Sequence, residues 1–253
     1  MDRAGLVSLV FLILLIVPLL YLQRFLQREI QAIFLLITHQ PEITMALFSL
    51  LFLPGVVLHE ISHFLMAHLL GVRTGRFSLI PKKQSGGKLQ LGYVETASTD
   101  FIRDAMIGAA PLIAGGIFVA FVGTSRLELN TLWENLIQGQ AVSFRESLKS
   151  MLGQPDFWLW FYLTFTVSST MMPSSSDRRA WLPLLLFTII VTVLVLLLGA
   201  GPWILSKLGN AIKAALDTLT LVFATTVLIH LILLLPAWVI RKIISRFSGY
   251  QVV

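Results

Sequence analysis

The sequence predicts an all-α polytopic membrane protein of about six transmembrane helices, with a short cytoplasmic β-hairpin between the second and third. Three observations predict it. The 253 residues are 56% hydrophobic and only 13% charged, against about 25% charged in soluble domains. Mean hydropathy is +0.83. Apolar runs long enough to cross the bilayer as a helix, about 20 residues each, recur along the whole chain. The net charge of +6 does not mark a nucleic-acid-binding protein. Its basic residues fall between the apolar runs, as they do in loops flanking membrane spans. The chain has no cysteine, which excludes disulfides and thiolate metal sites.

The first span is expected over Ala4 to Leu22. It is read as retained, not as a cleaved signal peptide, because Tyr21-Leu22-Gln23-Arg24 follows it in place of a small-residue cleavage site. Ile30 to Ile37 is apolar but too short to span and is expected at the interface or against the bundle. The remaining spans are expected over Ile43 to Leu70, Phe101 to Gly123, Phe157 to Met172, Leu182 to Leu205 and Thr218 to Ile240. Trp158, Trp160, Trp181, Trp203 and Trp238 fall near span ends, as an aromatic belt requires.

Six spans put both termini on one side with the 71–100 and 173–180 loops. Twelve of the 19 Lys and Arg residues fall there, which makes that side cytoplasmic. Lys88-Leu89-Gln90-Leu91-Gly92-Tyr93-Val94 alternates in polarity after Gly86-Gly87, the pattern of a hairpin. Residues 124–155 are expected as one or two surface helices, with Leu127, Leu129, Leu132, Trp133 and Leu136 as a partial apolar stripe. Neither connection is long enough for a separate domain. The chain is read as one integral-membrane domain, 1–253, with its chemistry in 54–180.

That chemistry centres on His59-Glu60-Ile61-Ser62-His63. Residues four apart share a helix face, so both imidazoles can reach one metal ion. The glutamate between them does not ligate; it stands beside the metal-bound water as its base. Two histidines and a glutamate within an apolar span are costly, and such residues mark function. His59 is expected on the order of 16 Å inside the cytoplasmic end of its helix, within the bilayer. Pro54-Gly55, just before the motif, reads equally well as a kink that opens room and as an ordinary membrane proline.

A catalytic zinc needs a third protein ligand and an open position. Asp177 is the best candidate. It follows Met172-Pro173-Ser174-Ser175-Ser176, where a proline and three serines break the helix and let the backbone dip toward the site. The alternative for Asp177 is a loop carboxylate paired with Arg178 or Arg179. Asp104 is a weaker candidate, expected to cap the third span or pair with Arg103. His68, about 140° around the helix from His63, points elsewhere. His230 is expected as a buried polar contact. The small-residue run Gly108 to Gly116 is expected to let helices approach closely.

These residues resemble the site-2 proteases, the intramembrane zinc metalloproteases, in a minimal form without a PDZ domain. His59 through Val72 resembles that family's histidine helix with its Leu-Leu-Gly-Val ending. Leu91-Gly92-Tyr93-Val94 resembles its membrane-associated strand, and Ala110-Pro111-Leu112 its Gly-Pro-Leu motif. Asp177 matches the aspartate of its second metal motif, although Arg178 stands where the family has glycine. The resemblance implies one Zn²⁺ per chain on His59, His63 and Asp177, with Glu60 as catalytic base. It also implies a substrate that is a transmembrane segment of another membrane protein, cut to release a regulator or to clear a signal-peptide remnant. Such a chain is expected in a bacterial or archaeal cell membrane with its site toward the cytoplasm, and any filtering of its substrates falls to an accessory or adaptor protein or to the interfacial helices. The alternative is an inactive metal-binding scaffold, sensor or transporter; a retained Glu60 and the absence of paired broken helices speak against it.

Overall fold

The computed structural model describes residues 3–83, 89–199 and 201–248. The chain forms an all-α membrane protein with eight described helices and a small β-hairpin. Helix α1 spans Arg3–Thr38, α2 Pro41–Leu69, α3 Phe101–Ser125, α4 Leu129–Ile137, α5 Ala141–Leu152, α6 Phe157–Thr170, α7 Trp181–Leu197 and α8 Gly201–Ser248. Among the described residues four helices are long and apolar enough to cross a membrane: α1 from Leu9, α2, α3, and α8 from Ser206. The expectation of six spans is therefore corrected to four, and each difference has a local cause.

Helix α1 does not stop at Leu22. No glycine or proline lies between Leu22 and Thr38, and the polar residues that interrupt the apolar run find partners inside the bundle. Gln23 and Gln27 donate to backbone carbonyls of α6. The buried Glu29 pairs with Arg241 of α8. The expected interfacial piece, Ile30 to Ile37, is simply the end of this helix.

Helix α6 has only 14 residues, about 21 Å at 1.5 Å per residue, short of the roughly 30 Å hydrocarbon core. Pro173 and the serines end it, and turns occupy the segment to Ala180. Helix α7 stops at Leu197 with 17 residues because Gly199 takes φ +70°, the left-handed conformation that closes helices. Trp203 to Leu205 then belong to the 48-residue α8.

Helices α1 and α8 form the largest helix pair and run parallel. Gln23 and His230 both bind at Ser168–Ser169, while further along Glu29 meets Arg241. Parallel spans start on one side of a membrane and end on the other. The start of α1 and the end of α8 lie at opposite ends of the bundle, whereas the sequence reading places both termini on one side. Helix α6 runs alongside α2 in the same direction, with Leu51 bonded to Tyr162 and His59 to Thr170. Together with the following turn it carries the chain back between α3 and α8.

Phe52, fully buried, anchors the core on Phe48 and Phe165, with ring centroids 4.6 and 5.4 Å away. The apolar stripe of the 124–155 region is borne out in part. Leu127 and Leu132 pack under Val122, Met151 and Phe157, while Trp133 stays exposed. The 71–100 connection forms the expected hairpin. Its strands are β1 (Thr74–Ser78), β2 (Lys82–Lys83), β3 (Leu89–Gln90) and β4 (Tyr93–Thr96), with β1 antiparallel to β4 and β2 to β3. Gly86, Gly87 and Lys88 lie outside the described residues.

Candidate metal centre

The site begins with how α2 is held. Its C-terminus is a Schellman motif: Gly71 N–H bonds to the His68 carbonyl, Val72 N–H to that of Ala67, and Gly71 takes φ +67°. The Leu69-Leu70-Gly71-Val72 ending is thus a helix stop whose Val72 packs on Ala67 and Ile107. One turn earlier, His63 lies against the same Ile107. The helix runs unbroken through Pro54, and Gly55 meets α6 so closely that a Cβ there would collide with the Thr166 carbonyl. Of the two readings of Pro54-Gly55, the described contact is close packing of α2 on α6.

Both histidines are oriented by backbone. His59 Nδ1 lies 2.7 Å from the Thr170 carbonyl, and His63 Nδ1 lies 2.8 Å from that of Ile107. A carbonyl oxygen only accepts, so each Nδ1 carries the hydrogen. Each Nε2 then presents a lone pair, the arrangement that a metal-ligating imidazole needs. The two Nε2 atoms stand 3.2 Å apart. Two lone pairs facing at that distance repel unless a cation joins them.

Asp177 completes the group. Its Oδ1 is 3.5 Å from His63 Nε2 and its Oδ2 3.9 Å from His59 Nε2. One ligand atom from each of the three residues falls within 4.8 Å of the others. For an ion bound at about 2.0–2.1 Å in a tetrahedral array, ligand atoms stand about 3.3 Å apart. The donor set and its spacing fit such an ion.

The loop carrying Asp177 is locked by its own sequence. Ser174 N–H donates to Asp177 Oδ2 at 2.7 Å, and Asp177 N–H to Ser174 Oγ at 3.3 Å. The basic neighbours are turned away from the carboxylate. Arg178 donates to the Ser174 carbonyl and Arg179 pairs with Asp104 at 2.9 Å. Asp177 is therefore not the arginine-paired loop carboxylate of the alternative reading. Asp104 is bound to Arg179, and the cap of α3 is Asp100, which accepts from Arg103 and Ile102 N–H. Those bonds, the one from Arg103 foremost, hold the Asp100 carboxyl below its usual range.

Gly108 lets the loop approach. A Cβ there would collide with the backbone carbonyl of Asp177, and one at Gly115 would meet the Met171 side chain. Gly108 and Gly115 of the small-residue run thus seat the ligand-bearing turn, while a Cβ at Gly116 would meet nothing within 4 Å. Alanine at position 108 improves helix propensity by about 1 kcal/mol, whereas overpacking costs about 1–3 kcal/mol. Gly108→Ala should therefore be net destabilising and should displace Asp177. Metal affinity is expected to fall roughly tenfold or more, read by competition with a chelating dye. Unchanged affinity would show that the turn does not rest on Gly108.

Glu60 is buried beside the two histidines at 6% exposure. Gly92, between β3 and β4, lies directly over it. A Cβ at Gly92 would stand 2.9 Å from Glu60 Cγ and 3.0 Å from Oε1. The alternating stretch predicted a strand here, but only the tertiary structure places it on the glutamate. A cavity of about 240 Å³ opens beside the group, lined by His63, Asp177, Gly108, Val94, Thr96 and Arg179, among others. His68 is exposed and outside the group. His230 is a buried polar contact, bonded to Ser169 and Thr226.

No protein-family model, curated protein or solved structure matches the chain.

Proposed function

We propose that this protein is an intramembrane zinc endopeptidase of the site-2 protease kind, hydrolysing peptide bonds within transmembrane segments. The observation that carries the reading is the convergence of two backbone-oriented Nε2 atoms and a carboxylate oxygen beside a buried glutamate. His59, His63 and Asp177 would hold the ion, a nitrogen-and-oxygen donor set that suits zinc. Bound zinc supplies a Lewis acid and lowers the pKa of coordinated water from about 15.7 to about 7.

The chain's own residues do the rest. Glu60 accepts the proton of the attacking water at its carboxylate and returns it to the leaving amine nitrogen. Ser174 N–H and the carbonyls of Thr170 and Ile107 keep the ligands from turning. Val94 and Thr96 put an extended backbone along the cavity beside the site. Among the described residues β4 pairs only with β1, so its other edge is available to a substrate unwound into extended form. Burial of Glu60 and His63 within α2 suits a substrate that arrives from the bilayer rather than from bulk water. The basic hairpin with Arg73, Arg76 and Lys82 extends from the same end of α2, and positive charge flanking a span supports a site in the cytoplasmic half of the membrane.

The test is reconstitution of purified protein in liposomes with a panel of single-pass segments, including signal-peptide remnants. Cleavage inside the apolar segment is expected, lost on chelation and restored by zinc. Cleavage that persists in rigorously zinc-free protein would overturn the metalloprotease reading. Zinc-loaded protein that cuts no segment would favour the scaffold.

A further inference from the structure

Helix α6 ends in an unusual way. Met171 N–H closes on the Val167 carbonyl, which leaves the carbonyls of Ser168, Ser169 and Thr170 beyond the reach of the helix's own donors. Each of the three accepts from a side chain of a different part of the bundle or a different turn. Gln23 Nε2 donates to Ser168 O at 2.8 Å, Gln27 Nε2 to Ser169 O at 3.2 Å, and His59 Nδ1 to Thr170 O at 2.7 Å. His230 of α8 additionally holds the Ser169 hydroxyl at 3.0 Å.

The third of these bonds orients His59, and the segment that leaves this helix end carries Asp177. Two elements of the metal centre therefore depend on where α6 stops. Gln23 and Gln27, four residues apart, share one face of α1. Their two amides follow two successive carbonyls, and the His59 imidazole takes the next. General packing between α1 and α6 would need no such alignment.

We propose that Gln23 and Gln27 are positioning residues of the metal centre: by fixing the Ser168 and Ser169 carbonyls they set the Thr170 carbonyl that orients His59 and the turn that presents Asp177. This rests on the metal-centre reading above. It gives α1, a helix that contributes no ligand, a direct part in metal binding. Neither amide titrates, so the effect is one of geometry and not of charge.

The test uses the full-length protein loaded with Co²⁺, whose visible absorption reports ligand geometry. The double variant Gln23→Met/Gln27→Met keeps side-chain volume and removes both donors. Its Co²⁺ affinity is expected to fall about 10–100-fold, the range for partners that orient metal ligands, with a shifted absorption band. Leu26→Ala, in the core on the same helix, serves as the control: it lowers thermal stability but leaves affinity and spectrum as in the wild type. A double variant with wild-type affinity and spectrum overturns the inference, as does an equal spectral shift in Leu26→Ala. If the double variant does not fold, the half-buried Gln27→Met alone is read in the same way. Wild-type protein that takes up no Co²⁺ overturns the metal-centre reading itself, and the two failures are thereby distinguished.

Discussion

Glu60→Gln should lose peptide-bond cleavage while keeping its metal. The substitution preserves the volume that packs under Gly92 and touches neither imidazole's carbonyl partner. It removes the only function that a neutral amide cannot perform, which is to take a proton from water. General-base contributions are about 10²–10⁴-fold, and a loss at the upper end is expected because a buried site offers no bulk water as a substitute base. The measurement is single-turnover cleavage in liposomes, with metal content and thermal stability taken on the same preparation. Cleavage within a few-fold of wild type would remove Glu60 from the chemistry. Lost metal would show that it supports the ligands instead.

Asp177→Ala should release the metal. Zinc bound by four protein ligands in small structural sites is stabilised by about 10–16 kcal/mol, so one ligand contributes roughly 3–4 kcal/mol, on the order of 10²–10³-fold in affinity. The variant also frees Ser174 N–H, its partner at 2.7 Å, so the turn loosens as well. Asp104→Asn separates the two aspartates near the site. It weakens the pair with Arg179 but removes no ligand, and its metal affinity should stay within a few-fold of wild type. Metal competition assays on the two variants check this. Retained stoichiometric metal in Asp177→Ala would take the aspartate out of the ligand set.

What the sequence made legible was local. The His59–His63 spacing reads as one helix face because helical periodicity is a four-residue affair. The helix-breaking Pro173 and its serines place Asp177 in a turn by the same short-range logic. The hairpin announced itself by alternation, and the end of α2 by Leu-Leu-Gly-Val. What stayed hidden depends on partners far along the chain. Gln23 and Glu29 look like the end of a span until α6 and α8 supply a carbonyl and an arginine. That misreading shortened α1, while the six-span count failed at α6 and α7, whose ends at Pro173 and Gly199 leave them too short to cross. The Nδ1 partners of the two histidines lie 111 and 44 residues away, and no pattern in α2 points to them. Gly92 over Glu60 is likewise a contact between elements, seen only once the hairpin folds back on α2. Arg178, conspicuous after the aspartate, proves to be engaged with Ser174.

The central claim is that His59, His63 and Asp177 bind one zinc ion with a position left open. X-ray absorption at the zinc edge, on protein purified in the presence of zinc and freed of loosely bound metal, tests it most directly. The expected result is one zinc per chain in an all nitrogen-and-oxygen shell that includes two imidazoles, and loss of that zinc in His63→Ala. Protein that retains no stoichiometric zinc, or zinc whose shell contains no imidazole, would contradict it.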